Sequence, residues 1–364
     1  MSRSAAPDVG IITTGHDVAD ARLHKITAAL RHRGLSVELW GLGEPDGGPA
    51  GATVHAGPRG NLVQRLARTA VLPWRTNAKV VMTVDPDMIP VTRLVTTIRR
   101  RKLVVDVHED YERLLADRAW AKGAAGLPAR LIVRAGSKLA AGADLTVVAD
   151  SHLAPHHAKR RLVVQNLPDH GFLAPSPPTG APRAVYVGDL RTSRGLFDMV
   201  ETVAAAPGWS LDLVGPVAPS DRDRLEARIE EPDLAGRVRL HGRQPPADSW
   251  RIAQGAWASL AMLQPTPAFV EAMPSKIYES LASGLPVLST RLPRQTRVIE
   301  ESGGGVLVDS VPEASETLRR WAADPGELEK LRDHALEWAA DHLSATPYDD
   351  LADAIIDLLR GSDS

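Results

Sequence analysis

The chain has 364 residues, of which 43% are hydrophobic and 24% charged, and a formal net charge of −2. That length is generous for one core and comfortable for two domains, with the composition of an ordinary soluble globular protein. The absence of cysteine excludes disulfides, thiol catalysis and cysteine-based metal sites. No apolar run approaches the roughly 20 residues that span a bilayer, and the first residues carry no apolar signal core, so a cytoplasmic enzyme is expected.

Strands and helices alternate almost throughout, the pattern of parallel sheets covered by helices on both faces. Asp8–Thr13 is expected as a strand, Val18–Arg33 as a helix ended by Gly34, and Ser36–Trp40 as the second strand. Ala52–Ala56 reads as a short strand and Asn61–Ala70 as a basic amphipathic helix. Lys79–Val84 and Lys102–Val107 read as buried strands around the helix Val91–Arg101; the helix Leu127–Ala141 and the strands Asp144–Ala149 and Leu162–Val164 follow. Residues 166–183 hold Pro168, Pro175, Pro177, Pro178 and Pro182, a density of breakers that marks a linker between domains 1–165 and 184–345. The second domain offers strands at Ala184–Val187, Ser210–Val214, Val238–His241, Trp257–Leu263, Leu285–Thr290 and Gly305–Val308. Residues 346–364 contain a last helix, Tyr348–Leu359.

The small net charge hides an asymmetry: residues 1–165 carry 24 Lys+Arg against 15 Asp+Glu, and the remainder 19 against 30. Solvated helix faces explain this, and so does a first domain drawn to an anionic membrane or a phosphorylated lipid acceptor. No nucleic-acid partner is expected, because few aromatics interleave with the charges.

The segment Phe269–Thr290 carries the most chemistry. Pro274 fits the first position of a helix and Gly284 the residue that ends it, with a buried strand beyond. Free N–H groups at the Pro274-Ser275-Lys276 helix start, with the helix dipole and the Lys276 ammonium, make an anion site. Glu279, about one turn further in, leans back toward that anion and can accept from a hydroxyl beside it. Glu271 precedes the proline and faces a ligand from another side. A diphosphate, a ribose and a second polyol all find partners here, which outlines a nucleotide sugar; an ordinary charged surface helix is the plainer alternative.

These residues resemble the donor site of GT-B-fold glycosyltransferases, specifically the large retaining family 4. That signature is an acidic residue, seven residues, Glu, then a Gly-x-Pro-Val strand, matched here by Glu271, Glu279 and Gly284-Leu285-Pro286-Val287. The resemblance implies two doubly wound Rossmann-like α/β domains facing across a cleft, with the last helix crossing back to the first. It implies a hexose-type sugar moved with retention from a UDP- or GDP-sugar to an acceptor: a glycolipid, a polysaccharide precursor or a natural product. The nucleotide sugar is a co-substrate; no other cofactor and no metal are implied. By the same resemblance Glu271 lies by the donor sugar, Glu279 holds the ribose, and Ser275, Lys276 and Ile277 meet the diphosphate.

The turn from Val185 to Gly195 joins a strand to a helix, and Gly188 with its cations suits a pyrophosphate. Arg194 matches the family's lysine, whereas Asp189 stands where the family has arginine; Arg191 is expected to supply the missing cation. After the first strand, Gly15 lets backbone approach a ligand, and His16 and Arg22 are expected on the acceptor side. In Asp106-Val107-His108-Glu109, His108 corresponds to the family's sugar-contacting histidine. Asp85-Pro86-Asp87 resembles a metal-binding Asp-x-Asp in the wrong fold context, so Asp85 is expected to shape a loop or touch the acceptor. His108, Glu271 and Arg194 are the catalytic candidates. A nucleotide-sugar epimerase of the same fold and a non-catalytic nucleotide-sugar-binding relative are the alternatives, the latter favoured by Asp189.

Overall fold

Val-, Ile- and Leu-rich runs bounded by turn residues give strands buried on both faces, and in this computed structural model every strand pair is parallel. The structure describes residues 6–111, 113, 115, 126–270, 273, 275–344 and 347–361. The chain divides into two compact units, Met1–Asn166 with Thr346–Ser364, and Leu167–Ala345.

The first unit has a seven-stranded sheet of β1 (Val9–Asp17), β2 (Val37–Leu42), β3 (Thr53–Gly57), β4 (Val80–Thr83), β5 (Lys102–Val107), β6 (Leu145–Val148) and β7 (Arg161–Val163), ordered β3-β2-β1-β4-β5-β6-β7. Its helices are α1 (Ala21–His32), α2 (Leu62–Arg75), α3 (Ile89–Ile98), α4 (Leu127–Ala140) and the last helix of the chain, Pro347–Arg360. Strand alternation splits the apolar side chains between two cores. Val80 and Met82 join Leu23, Ile26 and Leu30 of α1 and Leu351 and Ile355 of the last helix. Val81 joins Leu72 and Met88 on the other side.

The second unit has a six-stranded sheet of β8 (Arg183–Val187), β9 (Ser210–Val214), β10 (Val238–Gly242), β11 (Ala258–Ala261), β12 (Val287–Thr290) and β13 (Gly305–Val308), ordered β10-β9-β8-β11-β12-β13. Its helices are α5 (Leu196–Ala204), α6 (Arg222–Ile229), α7 (Pro246–Ala253), α8 (Ser275–Ala282), α9 (Pro293–Ser302), α10 (Val311–Ala323) and α11 (Pro325–His342), which makes the helix Pro347–Arg360 α12. Trp209 and Trp321 are buried in its core, and the Trp209 indole donates to the Leu318 carbonyl at 2.8 Å. In each sheet the strand order reverses once, between β1 and β4 and between β8 and β11. The carboxyl ends of those strands are where open α/β sheets bind ligands.

Several boundaries differ from the sequence reading, each for a local reason. β1 runs to Asp17 rather than Thr13, because after a register shift Asp17 pairs with Leu42 of β2; Gly15 and His16 thus lie in the strand, not in a loop. Helix α1 starts at Ala21 rather than Val18, since the Asp20 side chain caps it by accepting from the Arg22 N–H at 2.9 Å. Helix α3 starts at Ile89, with Pro90 in its first turn, and ends at Ile98, because Arg100 takes a left-handed φ of 53°. Helix α2 continues to Arg75 with Pro73 inside it, past the Ala70 expected.

One buried ion pair ties these elements together. The Arg22 guanidinium donates to both oxygens of Asp106 at 2.7 Å, and again to the Val164 carbonyl at 3.1 Å. The Tyr348 hydroxyl of α12 lies beside it and donates to Asn166 at 2.8 Å. Burial works against the Asp106 charge, but Arg22 holds its carboxyl below the usual range. This corrects the expectation that Arg22 faces an acceptor: its side chain is 4% exposed and committed to Asp106.

Replacing Asp106 with Ala leaves a buried guanidinium uncompensated and should cost about 3–5 kcal/mol in denaturant unfolding. Tyr348→Phe removes the hydrogen bond to Asn166 and a long one from Arg22, and should cost about 1–2 kcal/mol. An unchanged unfolding midpoint for Asp106→Ala would deny the pair its structural part.

Candidate functional site

In the first unit the carboxyl ends of β1, β4 and β5 bring Gly15, His16, Asp85 and His108 together. Asp85 follows β4 and is 3% exposed. Its Oδ2 accepts from the Thr13 hydroxyl at 2.6 Å and from the N–H groups of Thr14 and Gly15 at 2.6 and 3.0 Å. A Cβ at Gly15 would stand 2.7 Å from Asp85 Oδ1, so the close approach requires glycine there. Asp85 therefore shapes the end of β1, a strand where a loop was expected. Asp87 forms a two-point ion pair with Arg65, both contacts at 3.0 Å. Both carboxylates of the Asp-x-Asp motif are thus engaged with protein donors.

His16 sits between two carboxylates, with Nδ1 3.6 Å from Asp20 and Nε2 3.5 Å from Asp85. Burial opposes its charge, but Asp20 and Asp85, with Glu109 further off, raise its pKa to about 9. The His108 ring packs edge-on to it, with centroids 4.8 Å apart. Burial and the neighbouring His16 charge push His108 below the usual histidine value, against the pull of Asp106 and Glu109. At neutral pH the pair is therefore one imidazolium beside one neutral imidazole, the latter suited to exchange a hydrogen bond with a hydroxyl. His108 Nδ1 lies 3.7 Å from Asp106 Oδ2, so the buried ion pair borders the site directly.

In the second unit the turn after β8 and the start of α8 meet. Gly188 has a φ of 149°, and a Cβ there would stand 3.3 Å from Lys276 Cε and 3.1 Å from the Tyr186 hydroxyl. The Lys276 stem thus lies against the glycine turn, and its ammonium is 3.4 Å from Ser275 Oγ. Arg194, in a short 3-10 turn, places its guanidinium over the Phe269 ring at 5.4 Å. The Thr192 N–H and hydroxyl both donate to Asp221 at 2.9 Å, which fixes that turn.

Asp189 is the centre of this cluster. Arg191 donates to it at 3.0 Å, and Arg243, from the segment after β10, lies at 3.6 Å. Burial would raise the Asp189 carboxyl, but Arg194, Arg191, Arg243 and Lys276 together hold it below the ordinary value. Arg191, expected as a replacement cation, is engaged with Asp189. Arg243 was missed, because a lone arginine after a strand carries no sequence signal.

Glu279 is 1% exposed on α8, one turn from Ser275. The Ile277 side chain is buried in a core with Leu281 and Val287, so its contribution to a ligand is its backbone N–H. Gly284, with a φ of 66°, ends the segment, and Leu285 N–H closes the turn onto the Ser280 carbonyl at 2.9 Å. Glu271 and Pro274 lie outside the described residues.

Residues 174–338 match the family described as Glycosyl transferases group 1, a stretch lying within the second unit. The lipopolysaccharide core biosynthesis glycosyltransferase LpsE of Rhizobium meliloti (strain 1021) is 28% identical over 132 residues, 36% of this chain and 36% of that protein. Sucrose-phosphate synthase from Thermosynechococcus elongatus superposes with a TM-score of 0.67 at 17% identity, covering 97% of this chain and 98% of that one. Anabaena HepE in complex with UDP and glucose gives 0.70 at 14% identity, covering 96% and 99%. The fold is that of GT-B glycosyltransferases, two Rossmann-like α/β domains with parallel sheets. The family match, confined to the second unit, supports the group 1 glycosyltransferase class.

The raised His16 value has a measurable consequence. The folded state holds this proton up to about pH 9, whereas a free histidine releases it near 6.5. Its stabilisation is therefore full below about 6.5 and is lost as pH rises through 9. Unfolding free energy should fall by on the order of 3 kcal/mol across that window, and His16→Gln should flatten the slope. An NMR titration placing His16 at an ordinary value would contradict the arrangement.

Proposed function

We propose that the protein is a retaining glycosyltransferase that moves a hexose-type sugar from a UDP- or GDP-sugar to an acceptor. The observation that carries this reading is the meeting of the Gly188 turn with the start of α8, where Lys276 lies against the glycine. Arg194 and Lys276, with the free N–H groups of the helix start, supply what a diphosphate needs. Buried Glu279, one turn in, is assigned to the ribose hydroxyls, Ser275 and the Ile277 N–H to the diphosphate, and Glu271 to the donor sugar. In the first unit neutral His108 is assigned to the sugar near the reacting carbon, with His16 on the acceptor side. The match of residues 174–338 supports the reading, as does UDP in the HepE complex. LpsE, a lipopolysaccharide enzyme by its name, favours a glycolipid or polysaccharide-precursor acceptor.

In this reading the bond from the sugar carbon to the diphosphate breaks through an oxocarbenium-like state. The acceptor oxygen bonds to the same face, and its proton passes to the departing phosphate oxygen. Arg194, Lys276 and the helix start meet the charge that grows on the diphosphate. Asp189 competes with that diphosphate for the same cations, so Asp189→Asn should tighten UDP or GDP binding. A non-catalytic binding protein is the second reading, favoured by the engagement of Arg191 with Asp189. Donor turnover with candidate acceptors separates the two.

Glu279→Ala removes a charged acceptor worth roughly 1.5–3 kcal/mol and should weaken nucleotide binding about tenfold or more in calorimetry. Unchanged affinity would overturn the ribose assignment. Glu271→Ala should leave nucleotide binding nearly intact while sugar transfer falls. Arg194→Ala should lower transfer more than nucleotide affinity, with Arg194→Lys restoring part of the rate.

A further inference from the structure

Two histidines stand together at the carboxyl edge of the first sheet, and their surroundings differ. His16 has a carboxylate on each side, Asp20 at 3.6 Å from Nδ1 and Asp85 at 3.5 Å from Nε2. Asp85 Oδ2 is filled by donors from Thr13, Thr14 and Gly15, so Oδ1 is the oxygen that faces the ring. His108 has one close carboxylate, Asp106, whose two oxygens already accept from Arg22 at 2.7 Å. Glu109 acts on both rings, Arg22 opposes a charge on His108, and the Tyr111 ring lies edge-on to His108 at 6.0 Å. Arg65 acts on Asp85, and Arg59 donates to the Gly15 carbonyl at 3.2 Å. With ring centroids 4.8 Å apart, a charge on both imidazoles is unfavourable, and the ring between two carboxylates takes the proton.

The same geometry orients the hydrogen of His108. Its Nδ1 is buried, makes no hydrogen bond among the described residues, and lies 3.7 Å from Asp106 Oδ2. A proton on Nδ1 turns its positive end to that carboxylate, whereas a lone pair there would face negative charge. The side chain keeps 13% of its surface exposed, and the buried Nδ1 takes no part in that.

We propose that His16 is a positioning residue that acts through His108: clamped by Asp20 and Asp85, its imidazolium excludes a second proton from the His108 ring and leaves that ring neutral, with its hydrogen on Nδ1 and the Nε2 lone pair available to a ligand hydroxyl. The functional part rests on the glycosyltransferase reading. There the sugar ring gains positive charge as its bond to the diphosphate breaks, and a second imidazolium beside it would oppose that charge. The charge on His16 is matched by two carboxylates and adds little to the field at the sugar.

The full chain, with 15N in its histidines, is titrated by NMR, and His16→Gln and His108→Gln supply the assignments. At about pH 7.5 His108 should show a protonated Nδ1 and a bare Nε2; a proton on Nε2 would overturn the tautomer. In His16→Gln the His108 midpoint should rise by about 1–2 pH units, because a unit charge at the edge of the ring is gone. An unmoved midpoint would overturn the proposal. Asp20→Asn keeps an equally good cap on α1 and removes one side of the clamp, so the His16 midpoint should fall from about 9 by about one pH unit or more. No fall would deny the clamp. Turnover of UDP-glucose and of GDP-glucose is then followed from about pH 5 to 8. The acid-side fall of kcat should set in about 1–2 pH units higher in His16→Gln, with KM little changed. A kcat profile that stays while the NMR midpoint moves would overturn the functional part. No turnover of either donor at any pH would count against the glycosyltransferase reading instead, and the NMR titration still decides where the proton sits.

Discussion

A guanidinium with 4% exposure cannot remain in a protein interior without a counter-charge, and Asp106 provides one in two-point geometry. The pair joins the first turn of α1 to the end of β5, and Arg22 also reaches Val164 beyond β7. Asn166, through the hydroxyl of Tyr348 and the ammonium of Lys25, ties α12 and α1 to the same point. Asp106 also borders His108, whose Nδ1 lies 3.7 Å away, so the carboxylate that holds α1 in place stands beside the neutral imidazole. Fold and site share one buried charge.

The charged clusters of the two units use charge in opposite ways. In the first unit carboxylates surround one histidine and hold its proton, and burial together with that charge keeps the second histidine neutral. In the second unit cations surround one carboxylate and keep it ionised. Asp189 offsets only part of the mutual repulsion among four cations, so the second cluster keeps a positive field that a ligand's phosphates can fill.

Much of the architecture is legible in the residues themselves. Continuous runs such as Val80 to Met82 suit strands covered on both faces, and helix signals such as Gly34 and Gly284 sit at real ends. What is not legible depends on contacts distant in the chain. The extension of β1 through Gly15 follows from pairing with Leu42 and from Asp85, 70 residues on. The assignment of Arg22 fails because nothing near it in sequence announces Asp106, 84 residues away. Arg243 is hidden for the same reason. The outward turn of Leu62, Val63 and Leu66 on α2 is also beyond reach of periodicity, which reports that a helix has an apolar stripe but not which side meets the core.

The return of α12 to the first unit bears on how the chain is made. Its Leu351, Ala352 and Ile355 complete a core begun by Val9, Ile11 and Leu23. On the ribosome, the second unit, one continuous stretch from Leu167 to Ala345, emerges whole before that core has its last helix. The first unit is thus the earliest to be synthesised and the last to be closed. Until α12 arrives, the apolar side of α1 faces water in the nascent chain, which is the interval when a chaperone or a premature contact has most to grip.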